Sequence, residues 1–188
     1  MKSAPITLLG YTLLGLLRKK PQAGYDLRRL FSTTPLMRYS DSPGAIYPAL
    51  NRLKEQGLIR CRVEKGTGLR FRRVFHLTPK GLVTLRKWLS QPVARHEIVR
   101  SVHQLLMRFS LMDAAVGPAG SLRLLSEMER ELTGHTASLR EYLNENGPNM
   151  LLSGRLALDY GVRSYDALLQ WTHAAIASYQ KQQKKIVS

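Results

Sequence analysis

Hydrophobic residues follow helical spacing at both ends of the chain and strand spacing in a short stretch between them. Early in the chain, apolar residues three and four positions apart predict three helices, at residues 5–20, about 24–31 and 43–57. Apolar and polar residues then alternate over 58–64 and 70–77, which predicts a β-hairpin closed by a glycine-containing turn. Thr78-Pro79 indicates the start of a further helix that ends near Leu89.

The order helix, helix, helix, hairpin, helix is typical of a winged helix. In this fold the third helix enters the major groove of DNA, and the hairpin, called the wing, lies along the backbone. We therefore expect a mainly α protein whose first domain, residues 1–91, is a winged helix-turn-helix with a two-stranded β wing.

The predicted third helix has one apolar face and one face that is free to meet a partner. Ser42 can cap its first turn, and Pro43 suits its first position. The apolar face consists of Ile46, Leu50 and Leu53, and the opposite face, with Tyr47 on its flank, consists of Gly44, Pro48, Asn51 and Arg52. Inside a helix Pro48 would lose a hydrogen bond to the Gly44 carbonyl, at a cost of about 3 kcal/mol. Such a violation at an exposed position often marks function, although a kinked surface helix would show the same pattern.

Positive charge is concentrated in the first half of the chain. The sequence has 29 Lys and Arg residues against 13 Asp and Glu residues, a formal net charge of +16. Residues 1–97 hold 19 basic and 5 acidic side chains, whereas residues 98–188 hold 10 and 8. The hairpin carries a single acid, Glu64, among these basic residues: Arg60, Arg62, Lys65, Arg70, Arg72 and Arg73. A polyanion would relieve the repulsion among them, so the asymmetry favours a nucleic-acid partner.

The second half, residues 92–188, is expected to be all helical. Gly117-Pro118 and Gly147-Pro148-Asn149 interrupt its apolar-periodic stretches, the first of which predicts one helix from His96 to Met112. After the second break, apolar residues alternate at spacings of four and three over three heptads and include Leu158, Val162, Tyr165, Leu169 and Ile176. Heptads of this length indicate helices that pack on one another, either within one monomer or between two chains.

Several other classes of function lack support. The single cysteine, Cys61, excludes an internal disulfide and suits a reducing cytosol, so we expect a cytoplasmic protein. No apolar run reaches transmembrane length, and no signal-peptide cleavage site follows the first helix. The five histidines lack metal-ligand spacing, and there is neither a phosphate-binding glycine loop nor a nucleophile elbow. We therefore expect no metal, no cofactor and no enzymatic activity.

Two alternatives from other classes remain. A basic RNA-binding or ribosome-associated protein would also carry this charge, but it would expose aromatic residues for stacking on bases. The aromatic residues here mostly fall on apolar stripes. A membrane-surface protein would place its charge on an amphipathic helix, whereas here the charge lies in the hairpin.

Several motifs resemble the PadR family of bacterial transcriptional regulators. They are Pro21-Gln22-Ala23-Gly24-Tyr25-Asp26-Leu27, the block Ser42 to Leu50 with Gly44-Ala45-Ile46-Tyr47-Pro48 at its centre, Arg52-Leu53, Gly57-Leu58-Ile59 and Leu77-Thr78-Pro79-Lys80-Gly81. The resemblance covers residues 6–90, and the central block is highly specific to the family. The chain departs from the family pattern at Ala23, Phe71 and Phe75, where histidine, proline and tyrosine are frequent. These departures affect wing shape and effector contacts more than DNA binding.

The resemblance implies which residues contact DNA, since in PadR-like proteins the third helix binds the major groove and the wing contacts phosphates or the minor groove. By position, it implies DNA contacts by Ser42, Gly44, Tyr47, Asn51 and Arg52 in the helix and by Lys65, Arg70, Arg72 and Arg73 in the wing. Relatives with a long C-terminal region use it to dimerise, which favours a homodimer over a hairpin within one monomer. We expect Trp88 and Trp171 to be core anchors, but aromatic residues beside a dimer interface line effector pockets in relatives, so a small aromatic effector is a further possible partner.

We therefore predict a homodimeric winged-helix transcription factor that binds double-stranded DNA sequence-specifically and acts as a repressor. A two-fold dimer places two recognition helices about one DNA turn apart, so the operator is expected to be an inverted repeat.

Overall fold

A computed structural model of the protein describes residues 5–33, 43–65 and 71–187. The chain divides into two compact units. The first consists of Met1–Gln91 and Met107–Gly117, and the second consists of Pro92–Leu106 and Pro118–Ser188. The expected domain boundary at residue 91 stays a prediction, because Met107–Gly117, which lies beyond it, packs with the first unit.

The first unit contains the elements of a winged helix in the predicted order. They are α1 (Leu8–Lys19), β1 (Gln22–Ala23), α2 (Gly24–Thr33), a 3-10 turn (Pro43–Ala45), α3 (Ile46–Glu55), β2 (Ile59–Lys65), β3 (Phe71–Leu77) and α4 (Pro79–Leu89). The prediction of a mainly helical protein with an N-terminal winged helix is confirmed.

A third strand, which was not predicted, extends the two-stranded wing. β1 pairs antiparallel with β3, with Gln22 opposite Phe75 and Ala23 opposite Val74, and β3 pairs in turn with β2. Two residues are too few to produce an alternating pattern, so hydrophobic periodicity cannot reveal such a strand. The pairing fastens the root of the wing to the start of α2.

The core of the first unit forms from the apolar faces of its helices. The most deeply buried side chains include Leu13, Leu14, Leu27, Phe31, Ile46, Leu50 and Leu85. Each such side chain contributes about 1.5–3 kcal/mol by leaving water. The predicted apolar face of the third helix is confirmed, because Ile46, Leu50 and Leu53 are all buried.

The start of α3 differs from the prediction. Ser42, the predicted cap, lies outside the described residues, and Pro43 opens the 3-10 turn rather than the α-helix. α3 begins at Ile46, so Pro48 is its third residue. The first backbone N–H groups of a helix have no intrahelical acceptor, and a proline there gives up no hydrogen bond. The expected cost at Pro48 is therefore wrong.

The remaining helices of the described chain are α5 (Arg95–Arg100), α6 (Val102–Ser110), α7 (Met112–Asn146) and α8 (Leu152–Val187). The prediction of one helix from His96 to Met112 is wrong, since Ser101, at φ −144° and ψ 28°, separates α5 from α6. The predicted breaks are confirmed. Gly117 (φ 78°) kinks α7, and a 3-10 turn, Gly147–Asn149, ends it.

Within the second unit, α7 and α8 form an antiparallel helical hairpin. Glu129 Oε1 of α7 lies 2.9 Å from His173 Nε2 of α8. Nearer the turn, the rings of His135 and Tyr165 meet edge to face, with centroids 4.6 Å apart. This packing corresponds to the intramolecular alternative that the heptads left open.

The heptad stripe of α8 lies on the face that packs on α7. Val162 is only 6% exposed without a second chain, and Tyr165 contacts His135. These two members of the predicted dimerisation set therefore pack within one chain, whereas Leu158, Leu169 and Ile176 are half-buried.

At about 100° per residue, the opposite face of α8 carries a second apolar stripe, which is exposed: Leu152 (61%), Leu156 (55%), Tyr160 (74%) and Trp171 (40%). The expectation that Trp171 anchors a core is wrong.

Candidate nucleic-acid interface

The exposed face of α3 carries three of the predicted helix contacts. Because the apolar face of α3 is buried, Tyr47, Asn51 and Arg52 point away from the core. Tyr47 is 44% exposed, and Asn51 lies one helical turn after it. Gly44 is exposed in the preceding 3-10 turn, while Ser42 lies outside the described residues. The structure thus brings together a tyrosine, an amide and a guanidinium on one surface.

Tyr47 is supported from behind by two other elements. A Cβ atom on Gly24 would lie 2.8 Å from Tyr47 Cε1 and 3.3 Å from Phe75 Cε2, so both rings pack directly against this glycine. Gly24 begins α2, and Phe75 lies in β3. The Tyr47 ring therefore joins α3 to α2 and the wing. Gly24 was not predicted as a site residue, although its place in the Pro21 to Leu27 motif was a signal.

The other end of α3 is held by the residue that follows the wing. α3 ends at Glu55, and the chain turns away from it at Gly57, whose φ of +71° is readily adopted only by glycine. The Thr78 hydroxyl donates a hydrogen bond to the Gly57 carbonyl oxygen at 2.8 Å and lies 3.0 Å from the Leu58 carbonyl oxygen. The Leu58 carbonyl already accepts the Thr78 backbone N–H at 3.1 Å. The Thr78 hydroxyl oxygen accepts a hydrogen bond from the Gly81 backbone N–H at 3.0 Å, which caps α4. One side chain thus connects the end of α3 to the start of α4.

Lys80 and Gly81 tighten this connection. Lys80 Nζ donates a hydrogen bond to the Gln56 carbonyl at 2.8 Å. A Cβ atom on Gly81 would lie 2.0 Å from the Leu58 carbonyl oxygen, so α4 can approach this closely only because residue 81 has no side chain. The Leu77 to Gly81 motif therefore has a positioning role: it fixes where α3 ends.

The wing carries basic side chains on both of its faces. The register of β2 and β3 places Arg60, Arg62 and Arg72 on one face and Lys65 and Arg73 on the other. All five are exposed. Arg70 lies outside the described residues. The predicted wing contacts thus divide between two surfaces, and the face with Arg60 and Arg62 adds arginines that were not assigned to DNA.

Glu64, the acid of the wing, is engaged by a histidine. Its Oε1 atom lies 2.9 Å from Nε2 of His76, diagonally across the two strands. Arg72 stands directly opposite Glu64 in the register but forms no ion pair within the described ranges. The arginines of the wing therefore keep a net positive potential, which suits a polyanionic partner.

Other kinds of site find no support in the part of the chain that the structure describes. There, no group of three or more His, Cys, Asp or Glu side chains could hold a metal ion. In the same ranges, no helix is long and apolar enough to cross a membrane.

Trp88 is half-buried and stacks on Tyr11 with ring centroids 4.4 Å apart, and burial raises the pKa of the Tyr11 phenol. This pair belongs to the packing of α1 on α4.

Comparison with known proteins gives the family of the winged helix. Residues 13–87 match the model of the Transcriptional regulator PadR-like family. The Negative transcriptional regulator PadR of Bacillus subtilis (strain 168) is 36% identical over 89 residues, 46% of this chain and 48% of that protein. Transcriptional regulator YqjI of Escherichia coli (strain K12) is 28% identical over 138 residues, 73% of this chain and 58% of that protein. The chain thus spans about half the length of the curated relatives it matches.

Two solved structures of Bacillus subtilis PadR are also similar to the chain. The complex with operator DNA has a TM-score of 0.43 and 22% identity, over 94% of this chain and 99% of that one. The complex with p-coumaric acid has a TM-score of 0.41 and 21% identity, over 95% and 99%. The resemblance drawn from the sequence motifs is confirmed by the family match. Residues 13–87 form a domain of the PadR-like family of transcriptional regulators, and the chain is homologous to PadR regulators.

Proposed function

We propose that the protein is a sequence-specific, double-stranded DNA-binding transcriptional regulator that acts as a repressor. The observation that carries this proposal is the exposed face of α3, beside a wing rich in exposed arginines, within a PadR-like domain. The name of the Bacillus subtilis relative, a negative transcriptional regulator, supports the direction of regulation. Regulators of this family are not enzymes, and we expect this one to act in the cytoplasm.

The two parts of the interface have different proposed roles. The major groove admits an α-helix, and side-chain amides and guanidinium groups can make paired hydrogen bonds with base edges there. Asn51 and Arg52 are the groups of this kind on the exposed face of α3, and Tyr47 and Gly44 flank them. The wing supplies positive charge for contacts with the DNA phosphates. Such contacts fix the register of the protein on the duplex but carry no sequence information. Specificity is therefore assigned to α3 and most of the salt-dependent affinity to the wing.

A homodimer is the proposed functional form. Val162 and Tyr165 already pack within the chain, so we assign the interface to the opposite, exposed stripe of α8, which includes Leu152, Leu156 and Tyr160. Exposed apolar stripes of this kind usually mark interaction surfaces. A two-fold axis through such an interface would present two copies of α3 to an inverted-repeat operator.

A small aromatic compound is the proposed effector. The Bacillus subtilis relative, which is 36% identical to this chain over 89 residues, has been solved with p-coumaric acid. Binding of such a compound would be expected to change operator affinity, and titration of p-coumaric acid into the protein with its operator tests this.

Footprinting over the gene's own upstream region, followed by titration of the protected duplex at several salt concentrations, tests DNA binding. The logarithm of the affinity should fall linearly with the logarithm of salt concentration, because phosphates neutralised by the protein release counterions. The footprint should show two-fold symmetry. A flat salt dependence, or tighter binding to single-stranded RNA than to duplex DNA, would support the RNA-binding alternative instead.

A further inference from the structure

A groove of about 610 Å³ lies within the first unit, between the end of α1, β1, α2 and one face of the wing. We call it the wing groove. Part of its wall is apolar and includes Leu16, Pro21 and Val74. Four basic side chains also line it, from three separate elements and the residue after α1: Lys19, Lys20, Arg29 and Arg72.

The charges in the wing groove are unbalanced. Two carboxylates, Asp26 and Glu64, line it together with the four cations. Glu64 is already hydrogen-bonded to His76 at 2.9 Å, so one of its carboxylate oxygens has a partner other than the four cations. None of the four cations forms an ion pair within the described ranges. Cations gathered from separate elements repel one another, and a bound anion would turn that repulsion into attraction.

The apolar part of the wall limits the kind of anion. An inorganic anion would satisfy the cations but leave Leu16 and Pro21 against water, whereas Val74 is already buried. A molecule with an acidic head and an apolar body would cover both parts, and its apolar area would contribute to binding. The volume of the groove lies within the range of small-molecule sites. We propose that the wing groove binds an organic anion composed of a carboxylate or sulfonate head and an apolar body.

Such a ligand would also affect the proposed DNA interface, and this consequence rests on the proposed function. Arg72 belongs both to the wing groove and to the predicted wing contacts. An anion bound to Arg72 would compete with a DNA phosphate for the same guanidinium group. Occupied and DNA-bound states would therefore exclude each other in part, so the ligand lowers DNA affinity.

The test uses 8-anilino-1-naphthalenesulfonate as the probe, since its fluorescence rises when its apolar rings leave water. The full-length protein is titrated with the probe beside the double variant Lys20→Gln with Arg29→Gln. Both residues are exposed, and neither is assigned to DNA binding, so the variant should fold normally. Loss of two positive charges should raise the dissociation constant about tenfold.

Arg155→Gln is the matched control. Arg155 lines a second pocket of about 490 Å³ in the other unit, beside Leu143 and Leu156, where the same probe could bind. Probe affinity that is unchanged in Arg155→Gln and weakened in the double variant supports the wing groove. Affinity that depends on Arg155, or that is equal in all three proteins, would overturn it.

Competition with DNA is measured separately on the same proteins. A saturating concentration of probe should weaken binding of a random duplex by the wild-type protein and leave the double variant's affinity unchanged. Each protein is compared with itself, so the lost charges do not bias the result. Groove-dependent probe binding with no change in DNA affinity would overturn the competition and leave the binding site standing, whereas a protein that binds no duplex at all would contradict the proposed function instead.

Discussion

The ring of Tyr47 rests against Gly24, so closely that a methyl group at residue 24 would meet Tyr47 Cε1 at 2.8 Å. The tyrosine that the sequence motif assigns to DNA is therefore also a packing residue, since it sets how near α2 and α3 can lie. Because the same ring packs on Gly24 and is partly exposed, a substitution at residue 24 should also change the position of the exposed ring edge.

Gly24→Ala should weaken operator binding without removing any group that touches DNA. The new methyl group must displace Tyr47 or Phe75, and overpacking of this kind costs about 1–3 kcal/mol of unfolding free energy. Thermal unfolding followed by circular dichroism, with operator titration of the folded variant, measures both effects. Gly134→Ala is the control, because a Cβ atom there meets nothing within 4 Å and should stabilise its helix by about 0.5–1 kcal/mol. Unchanged operator affinity in Gly24→Ala would separate Tyr47 from the interface.

Thr78→Val should loosen the end of α3. The variant keeps the shape of the side chain but loses the hydroxyl that caps α4 and donates to the Gly57 carbonyl. Loss of a threonine cap costs about 0.5–2 kcal/mol of unfolding free energy. Chemical denaturation should show the loss, and Thr78→Ser, which keeps the hydroxyl, should recover most of it. Equal stability of the Val and Ser variants would mean that the hydroxyl is not needed.

Asn51→Ala and Arg72→Ala should have different effects on DNA binding. Losing a base contact at Asn51 should reduce discrimination between operator and random duplex by about 1–3 kcal/mol. Losing a phosphate contact at Arg72 should weaken both duplexes alike and lower the salt slope by about one. Titrations of both duplexes at several salt concentrations give the two quantities. If Asn51→Ala weakened both duplexes equally, the assignment of specificity to α3 would be wrong.

Glutamates on the two faces of α8 should have opposite consequences. Leu156→Glu with Tyr160→Glu lies on the exposed stripe and should abolish the proposed dimer while the monomer stays folded. Val162→Glu with Leu169→Glu places charge against α7, where an ionised group without a partner is strongly unfavourable, and should unfold the hairpin. Analytical ultracentrifugation and circular dichroism separate the two outcomes. A dimer that survives the first pair of substitutions would place the interface elsewhere.

Stability should depend on pH through His135. Burial, followed by the charge of Arg95, lowers the pKa of this histidine in the folded protein. Below the ordinary histidine pKa of about 6.5, the unfolded chain therefore binds a proton that the folded chain resists, and the free energy of unfolding falls as the pH falls. The stability that comes from the neutral His135 side chain is therefore fully present above a pH of about 6.5. Chemical denaturation of wild type and of His135→Gln can be compared from about pH 8 to about pH 5, a range that spans the ordinary histidine pKa. The free energy of unfolding should fall less in His135→Gln than in wild type. His96→Gln is the control, because His96 is exposed. Parallel curves would contradict the assignment.

The winged helix was predictable because each of its helices carries its own periodic apolar stripe, and its motif block falls on the third one. What the sequence did not reveal depends on contacts between elements. β1 is two residues long and exists only because β3 lies beside it. The break at Ser101 lies within an apolar-periodic stretch, and periodicity does not register a single residue with non-helical backbone angles.

The assignment of α8 shows the same limit on a larger scale. Heptads identify an apolar stripe but not the helix that covers it, so the stripe with Val162 and Tyr165 fitted a dimer and a monomer equally well. The structure covers those residues with α7 of the same chain. The exposed stripe with Leu156 and Tyr160 has fewer apolar residues and no heptad repeat, so the hydrophobic pattern does not predict it as an interaction surface.

Gly81 lies so close to Leu58 that a Cβ atom at residue 81 would be 2.0 Å from the Leu58 carbonyl oxygen, and this close approach has a consequence for how DNA preference can change. The position of α3 relative to α4 is set by this contact, which lies outside the proposed DNA-binding face. Substitutions at the junction of α3 and α4 would move the whole exposed face of α3 at once, whereas substitutions at Asn51 or Arg52 change one proposed contact at a time. A screen for altered operator choice should therefore recover variants at the junction of α3 and α4 as well as on the exposed face.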